Sequence, residues 1–547
     1  MKKTILILFI TGLLAACKQH PVAEQVVFGN TWTGNETQPH AEGFAIIGDS
    51  IVAVGMRNEI KKWVGKETKV IEVGSENLIV PGFIDCHTHF VDGGFALASV
   101  QLRDAKSKEE FVQRIADFAK SQPKGTWILN GDWDHENWGG ELPSRDWIDA
   151  ATPDHPVWVN RLDGHMCLAN TAALKAAGIT DKVKDVPGGT IVRDKKGRLT
   201  GIFKDNAMGM IYEKVPAPTI QQEDAALEAA MNYVAERGVT SAHNMSGYIT
   251  VFERARIAGN LKTRIYAGMN LANWKTLNEK IKAQGNGDKW LRIGGLKEFV
   301  DGSLGSHTAA FFEPFTDSPN DAGFFVISEE ELYRRIKSAD SAGLQVMTHA
   351  IGDKAIHTLL NVYERVAKEN GERDRRFRVE HAQHIHPNDI GRFASLNVIP
   401  SMQPYHAIDD GRWAEKIIGY ERCKTTYAFR SLLDARARLV FGSDWFVAPP
   451  TPLEGIYAAV TRRTLDDKNP EGWVPEQKIS VEEALKAYTI TAAFASFEEG
   501  IKGSLEPGKL ADYVILEKDI TRIDPVEIRN VKVLKTVVGG KPVYEKN

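Results

Sequence analysis

Residues 81–89 read Pro81-Gly82-Phe83-Ile84-Asp85-Cys86-His87-Thr88-His89, an apolar run that closes on two histidines two positions apart. This pattern predicts a strand. Side chains alternate along extended backbone, so His87 and His89 face one side and Cys86 faces the other, where it is expected to pack. Two imidazoles converging from one strand end can grip a divalent transition metal, with Asp85 beside them as a supporting partner. The same triplet also describes two surface histidines in a loop. The apolar lead-in Asn77-Leu78-Ile79-Val80 and the residues downstream decide between the two.

Downstream the pattern recurs. Leu296-Lys297-Glu298-Phe299-Val300-Asp301, Val346-Met347-Thr348-His349, Phe377-Arg378-Val379-Glu380-His381 and Val440-Phe441-Gly442-Ser443-Asp444 each begin apolar and finish on Lys, His or Asp. Amphipathic stretches such as 223–237 and 329–342 lie between apolar runs. Alternation of this kind from 81 to about 495 predicts an α/β fold, a distorted (β/α)8 TIM-like barrel with working residues at the C-terminal strand ends. A lone strand-end histidine is ordinarily a packed structural residue; four in ordered succession, followed by an aspartate, are not explained by packing.

Residues 95–200 break the rhythm and carry Trp127, Trp133, Trp138, Trp147 and Trp158, which predicts a long insertion after the first barrel strand. Short β-type runs at 25–28, 43–47, 51–54 and 69–73, with the turn Gly48-Asp49-Ser50, are matched near the other terminus by 511–516 and 531–538. The two ends, 22–80 and 496–547, are expected to form one small β-sandwich.

A chain of 547 residues suffices for a barrel and a satellite domain, and 43% apolar with 26% charged residues is an ordinary globular composition. A net charge of −4 leaves no electrostatic footprint for nucleic acid. Lys2 and Lys3 precede an apolar run over 5–14 and then Leu14-Ala15-Ala16-Cys17. This is a secretory signal over residues 1–17, and its ending resembles the lipobox of bacterial lipoproteins, with Cys17 the acylated residue. Lys18 after the cysteine resembles the outer-membrane sorting pattern. The protein is therefore expected to be exported, anchored to the cell envelope by lipid alone, on the outer membrane facing the periplasm. The plainer alternative is a cleaved signal peptide with an incidental Cys17. Cys86, Cys167 and Cys423 then remain, an odd and scattered set that makes no disulfide framework.

The motifs PGFIDCHTHF (81–90), GDWDHENWGGELPSRDWID (131–149), DGHMCLANTAAL (163–174), LKEFVDGSLGS (296–306), THAIGD (348–353), RVEHAQ (378–383), GSDWFV (442–447) and GSLEPGKLADYVIL (503–516) together resemble the amidohydrolase superfamily, and within it the YtcJ-like group that includes N-substituted formamide deformylases. The resemblance implies that His87 and His89 bind a first metal, Lys297 is a carboxylated lysine bridging two metals, His349 and His381 bind the second, and Asp444 contacts metal and acts as general base. It implies one or two zinc ions; Mn, Fe or Co suit the same nitrogen and oxygen ligands. Flanking cations favour the neutral lysine amine that reacts with CO₂. Alternation places Lys297, Phe299 and Asp301 on one face and Glu298 on the other, which favours Lys297 over Glu298 as bridge.

His165 matches a position facing the substrate from the insertion. Where the family commonly reads DGSLGSRTA, residues 301–309 carry His307 in place of the arginine, so Asp301 and His307 are candidate substrate contacts. His384 is left without a role. The implied activity is hydrolysis of a carbon–nitrogen bond other than a peptide bond in a small amide, N-formyl or cyclic amide substrate. Two alternatives stand beside it: a lipid-anchored binding or structural lipoprotein with an inactive barrel, and a hydrolase of esters or lactones on the same site. A homo-oligomer is compatible with the sequence, which does not specify one.

Overall fold

The computed structural model describes residues 22–546; the signal segment and Cys17 lie outside them. Eight parallel strands follow one another in chain order around a barrel: Phe83–Thr88, Val239–Asn244, Arg264–Asn270, Leu291–Phe299, Gln345–Ala350, Arg378–His381, Ile399–Met402 and Val440–Phe441. Each pairs with its sequence neighbour, and a parallel bridge between Thr88 and Trp445 nearly closes the ring. The closure is tight. A side chain at Gly442 would come within 2.5 Å of the His87 backbone nitrogen, so the last strand meets the first only with glycine there.

Between the first and second strands the chain builds a separate five-stranded sheet in the order Gly189–Arg193, Leu199–Asp205, Met166–Ala169, Val157–Arg161, Ile128–Trp133. It packs on cores of its own, one including Phe111, Trp133 and Ile148 and the other Trp158, Leu174 and Phe203. Some of the tryptophans are thus packing residues of this sheet; Trp133 is fully buried and donates its indole N–H to the Val159 carbonyl at 2.9 Å.

Both chain ends share one eight-stranded sheet. Tyr513–Leu516 runs antiparallel to Leu78–Pro81, which in turn pairs with Gln25–Trp32. Phe44 packs edge-on to Tyr513 with ring centroids 5.1 Å apart, although their strands stand three places apart in the sheet. At about 4.8 Å per strand a flat sheet would separate them by about 14 Å, so the sheet curls over and its layers pack on each other. Leu78–Pro81 continues through Gly82 into the first barrel strand, which ties this sheet to the histidines. Among the described residues no helix is long and apolar enough to cross a membrane, and Cys86, Cys167 and Cys423 are buried free thiols.

Candidate metal centre

His87 and His89 leave the first barrel strand, Asp444 follows the last, and their side chains meet. Nε2 of each histidine lies 3.3 Å from Asp444 Oδ1. That oxygen is buried and has no hydrogen-bond partner among the described residues. Asp444 adopts φ 62°, a left-handed backbone that costs an aspartate about 1 kcal/mol or more. It is held there by its own N–H donating to the His87 carbonyl at 2.8 Å. Asp85 braces the same junction, but not as the sequence suggested. Its carboxylate accepts the backbone N–H groups of His87 (3.2 Å) and Ser443 (2.8 Å) and the Ser443 hydroxyl (2.5 Å). It orients backbone, and the His87 ring is held by another residue.

That residue is Glu380, whose Oε2 lies 2.6 Å from His87 Nδ1. The remaining rings are held likewise: His89 Nδ1 by the Ser246 hydroxyl (2.5 Å), His381 Nδ1 by Gln403 Oε1 (2.8 Å) and His349 Nε2 by the Gly302 carbonyl (2.9 Å). A neutral imidazole carries one proton. Where the partner is a pure acceptor, as for His87, His349 and His381, the bonded nitrogen must donate and the other keeps its lone pair. Burial first, then neighbouring Lys297, His165 and His349 respectively, keeps these three rings well below the ordinary histidine range and therefore neutral. Ring centroids are 4.8 Å apart for His87 and His381 and 4.6 Å apart for His349 and His381. One donor atom each from His87, His381 and Asp444 falls within a 4.8 Å cluster.

Lys297, from the fourth barrel strand, brings Nζ to 3.2 Å from His87 Nε2. Burial pushes its ammonium down to about 8, so an unusual share of it is the neutral amine. Glu298, on the other face, accepts from Arg335 at 2.8 Å. Burial works to raise the Asp444 carboxyl, yet the His89 ring beside it outweighs burial and holds the group below the usual carboxylate range. Lone-pair nitrogens, an ionised and orphaned carboxylate oxygen and a depressed lysine together fit a divalent transition ion.

These groups open on a cavity of about 550 Å³ whose wall includes His165, Asp205, Asp301, Phe299 and Phe446. His165 comes from the insertion, its Nδ1 2.7 Å from Asp205 Oδ1 and its ring 4.9 Å from His349. Burial works against its protonation, but Asp205 prevails and the pKa rises. Arg161, Asp163, Ser303 and Ser306 staple the insertion to the barrel: Asp163 accepts from Arg161 (2.6 Å), Ser303 (2.5 Å) and Ser306 (3.1 Å).

Two candidate substrate contacts sit differently from expectation. Asp301 lines the cavity, but its carboxylate is occupied by the backbone N–H groups of Ala310 (2.8 Å), Ile351 (3.0 Å) and Gly352 (2.9 Å), and it serves to hold loops. His307 is not at the cavity wall. A turn over 304–307 with φ 56° at His307 sends its ring outward, against Phe315 and within 3.0 Å of Asp317. His384 is also away from the cavity, buried between Thr426 and Gln383.

The sequence reading assigned nothing to Ser246, Asp205, Glu380, Gln403 or His406. His406 lines the cavity with a buried, unpartnered Nε2. Glu380 could have been found, standing directly before His381; strict alternation assigns the two to opposite faces. The left-handed backbone at His381 (φ 71°) and Ala382 (φ 44°) breaks that alternation, so both side chains reach the barrel interior.

Comparison with known proteins adds independent findings. The profile described as Amidohydrolase family matches residues 75–544. The chain is 40% identical to Protein LONG AFTER FAR-RED 3 of Arabidopsis thaliana, covering 95% of this chain and 91% of that one. It is 30% identical to the Putative amidohydrolase YtcJ of Bacillus subtilis, over 95% and 99% of the two chains. It is 26% identical to the N-substituted formamide deformylase of Arthrobacter pascens, over 95% and 98%. Among solved structures, an uncharacterized metal-dependent hydrolase from Pyrococcus horikoshii superposes with a TM-score of 0.74 at 28% identity, over 92% of this chain and 99% of that one.

Proposed function

The chain belongs to the amidohydrolase family, and we propose that it hydrolyses the carbon–nitrogen bond of a small N-formyl, N-acyl or cyclic amide, with one or two zinc ions at the strand ends. The observation that carries this reading is Asp444 Oδ1, a buried carboxylate oxygen without a partner among the described residues, 3.3 Å from two imidazole nitrogens. Similarity to the formamide deformylase supports the choice of amides.

His87 and His89 would hold one ion and His349 and His381 a second, and Lys297, once carboxylated, would supply an anionic oxygen ligand beside them. When bound, such an ion lowers the pKa of a water and polarises a carbonyl. Asp444 accepts the proton of the attacking water and returns it to the leaving nitrogen as the C–N bond breaks. His165, fixed at Nδ1 by Asp205, turns Nε2 toward the carbonyl oxygen and offsets the charge that grows there. Phe299 and Phe446 line the apolar part of the pocket.

The reading includes the envelope anchor at Cys17, supported by the Leu14-Ala15-Ala16-Cys17 ending. The decisive experiment is a screen of N-formyl, N-acyl and cyclic amides, with matched esters and lactones, against zinc-loaded protein. Turnover confined to esters or lactones would move the assignment to that class. Purified protein without stoichiometric metal and without turnover would favour the inactive lipoprotein.

A further inference from the structure

The cavity wall away from the metal-facing side chains is a set of ion pairs in which the cations are already engaged. Arg161 is buried and uses three nitrogens: Nη1 to Asp163 at 2.6 Å, Nη2 to Asp134 at 3.1 Å and Nε to His135 Nδ1 at 3.3 Å. Its guanidinium also lies against Gly305, where a side chain would come within 2.6 Å of it. Arg335 donates to Glu298 at 2.8 Å and to Glu331 at 2.7 Å. Arg412 is bound to Asp409, and His165 to Asp205. Turning any of these cations toward a ligand would strand a buried or half-buried carboxylate, which is costly.

Carboxyl groups, by contrast, are abundant. Asp134, Asp163, Asp205, Asp301, Asp409 and Asp410 all line the cavity. The second oxygen of Asp205 is buried with no partner among the described residues, on a residue held at φ 47°. Helix Pro404–Asp410 brings Asp409 and Asp410 to the wall, and Trp413 follows one turn on. Asp410 accepts from Tyr427 (2.5 Å) and Gln383 (2.8 Å), with no cation among these donors, and burial pushes its carboxyl up to about 7. Leu304, Ile327 and Phe446 fill apolar positions between these groups.

We propose, resting on the amide-hydrolase reading above, that this cavity selects amides whose substituents are neutral or cationic and rejects those bearing a carboxylate or other anion beyond the scissile group. An entering anion would lose its water, find the cations that line the wall already paired, and meet the unpartnered oxygen of Asp205 and the ionised share of Asp410. Selection of this kind is repulsive, and it works whatever the fit of the rest of the substrate.

The test uses two hydroxamates with the same chelating head, benzohydroxamic acid and its 4-carboxy analogue, titrated calorimetrically into the zinc-loaded full chain. The neutral probe should bind about 100-fold tighter, the scale of a like-charge juxtaposition. Asp409→Asn, which removes one wall carboxylate and frees Arg412, should narrow that gap about 5-fold or more. Asp410→Asn should narrow it too, should the first variant fold poorly. In parallel, kcat/KM is measured for N-benzylformamide and its 4-carboxy and 4-aminomethyl analogues, with the 4-carboxy compound expected to be much the poorest. Equal affinity of the two hydroxamates, or binding of neither, overturns the proposal. Preferential binding of the neutral hydroxamate without hydrolysis of any formamide would instead sink the N-formyl reading and leave the charge selection standing.

Discussion

Glu380 Oε2 lies 2.6 Å from Nδ1 of His87, and this contact decides what the opposite ring nitrogen can do. A carboxylate only accepts, so the ring proton sits on Nδ1 and Nε2 is left as a lone pair beside Asp444 and Lys297. Glu380 is itself clamped by Arg378, with Nε 2.6 Å from Oε1 and Nη2 3.0 Å from Oε2. Arg378 also donates to the Cys86 carbonyl at 2.7 Å. A buried chain of charge thus runs from the barrel interior to the first histidine.

Glu380→Gln should therefore weaken metal binding about 10–100-fold, the usual effect of losing a ligand's supporting partner. It should also lower stability by about 3–5 kcal/mol, because Arg378 is left buried and unpaired. Zinc competition against a chromophoric chelator measures the first effect and thermal unfolding of the apoprotein the second. Wild-type zinc affinity in the variant would show that the contact does not set the tautomer.

Asp444→Asn preserves the shape of the side chain and removes its basicity. Turnover should fall about 10²–10⁴-fold, the range for a general base, with the far-UV spectrum unchanged. Near wild-type turnover would remove Asp444 from the proton path.

On the two-ion reading proposed above, Lys297→Ala should reduce zinc toward one ion per chain or none, since two cations held mainly by neutral histidines would lack a shared anion. Lys297→Arg should be no better, because a guanidinium does not give up its charge to react with CO₂. A short carboxylic acid added in solution should restore part of the metal content and activity of Lys297→Ala. Elemental analysis of the variants provides the check, and full metal content in either variant would exclude Lys297 as the bridge.

Arg264 on the third barrel strand grips Asp512 beside the C-terminal strands through two bonds, Nε to Oδ2 at 2.6 Å and Nη2 to Oδ1 at 2.9 Å, both groups buried. Asp512→Ala should cost about 3–5 kcal/mol by leaving the guanidinium buried without its anion. Chemical denaturation would show it as a lowered midpoint. An unchanged midpoint would mean that the pair contributes nothing to joining the sheet to the barrel.

Cys17→Ser should abolish incorporation of labelled fatty acid and move the protein out of the membrane fraction, if Cys17 carries the anchor. Unchanged fractionation would dismiss the lipid anchor.

The strand-end residues His87, His89, Lys297, His349, His381 and Asp444 stand out in the sequence because each closes an apolar run and the runs recur in order. Local periodicity carries that much. It does not carry the partners that fix each ring. His87 finds its acceptor 293 residues away, His89 finds Ser246 157 residues away and His381 finds Gln403 22 residues away. These pairings exist only once the barrel closes. Local backbone geometry hid the rest. Positive φ at His381 turns its ring inward beside Glu380, against the alternation rule, and positive φ at His307 turns that ring out of the cavity. Asp85 sits in the position of a ring-orienting carboxylate, yet its oxygens are taken by backbone N–H groups and a serine hydroxyl at the barrel seam.

The shared end sheet also governs the order in which the protein can mature. Leu78–Pro81, the strand that runs on into the first histidine, needs Tyr513–Leu516 as its antiparallel neighbour. That neighbour emerges more than four hundred residues later. A nascent chain therefore carries an unsatisfied strand edge immediately upstream of its candidate metal-binding histidines, which invites mispairing. Loop closure of this length makes the final docking slow relative to the local helices and hairpins. The C-terminal strands act as the last-arriving latch, so a chain shortened by its final few dozen residues would be left with a stalled, aggregation-prone barrel.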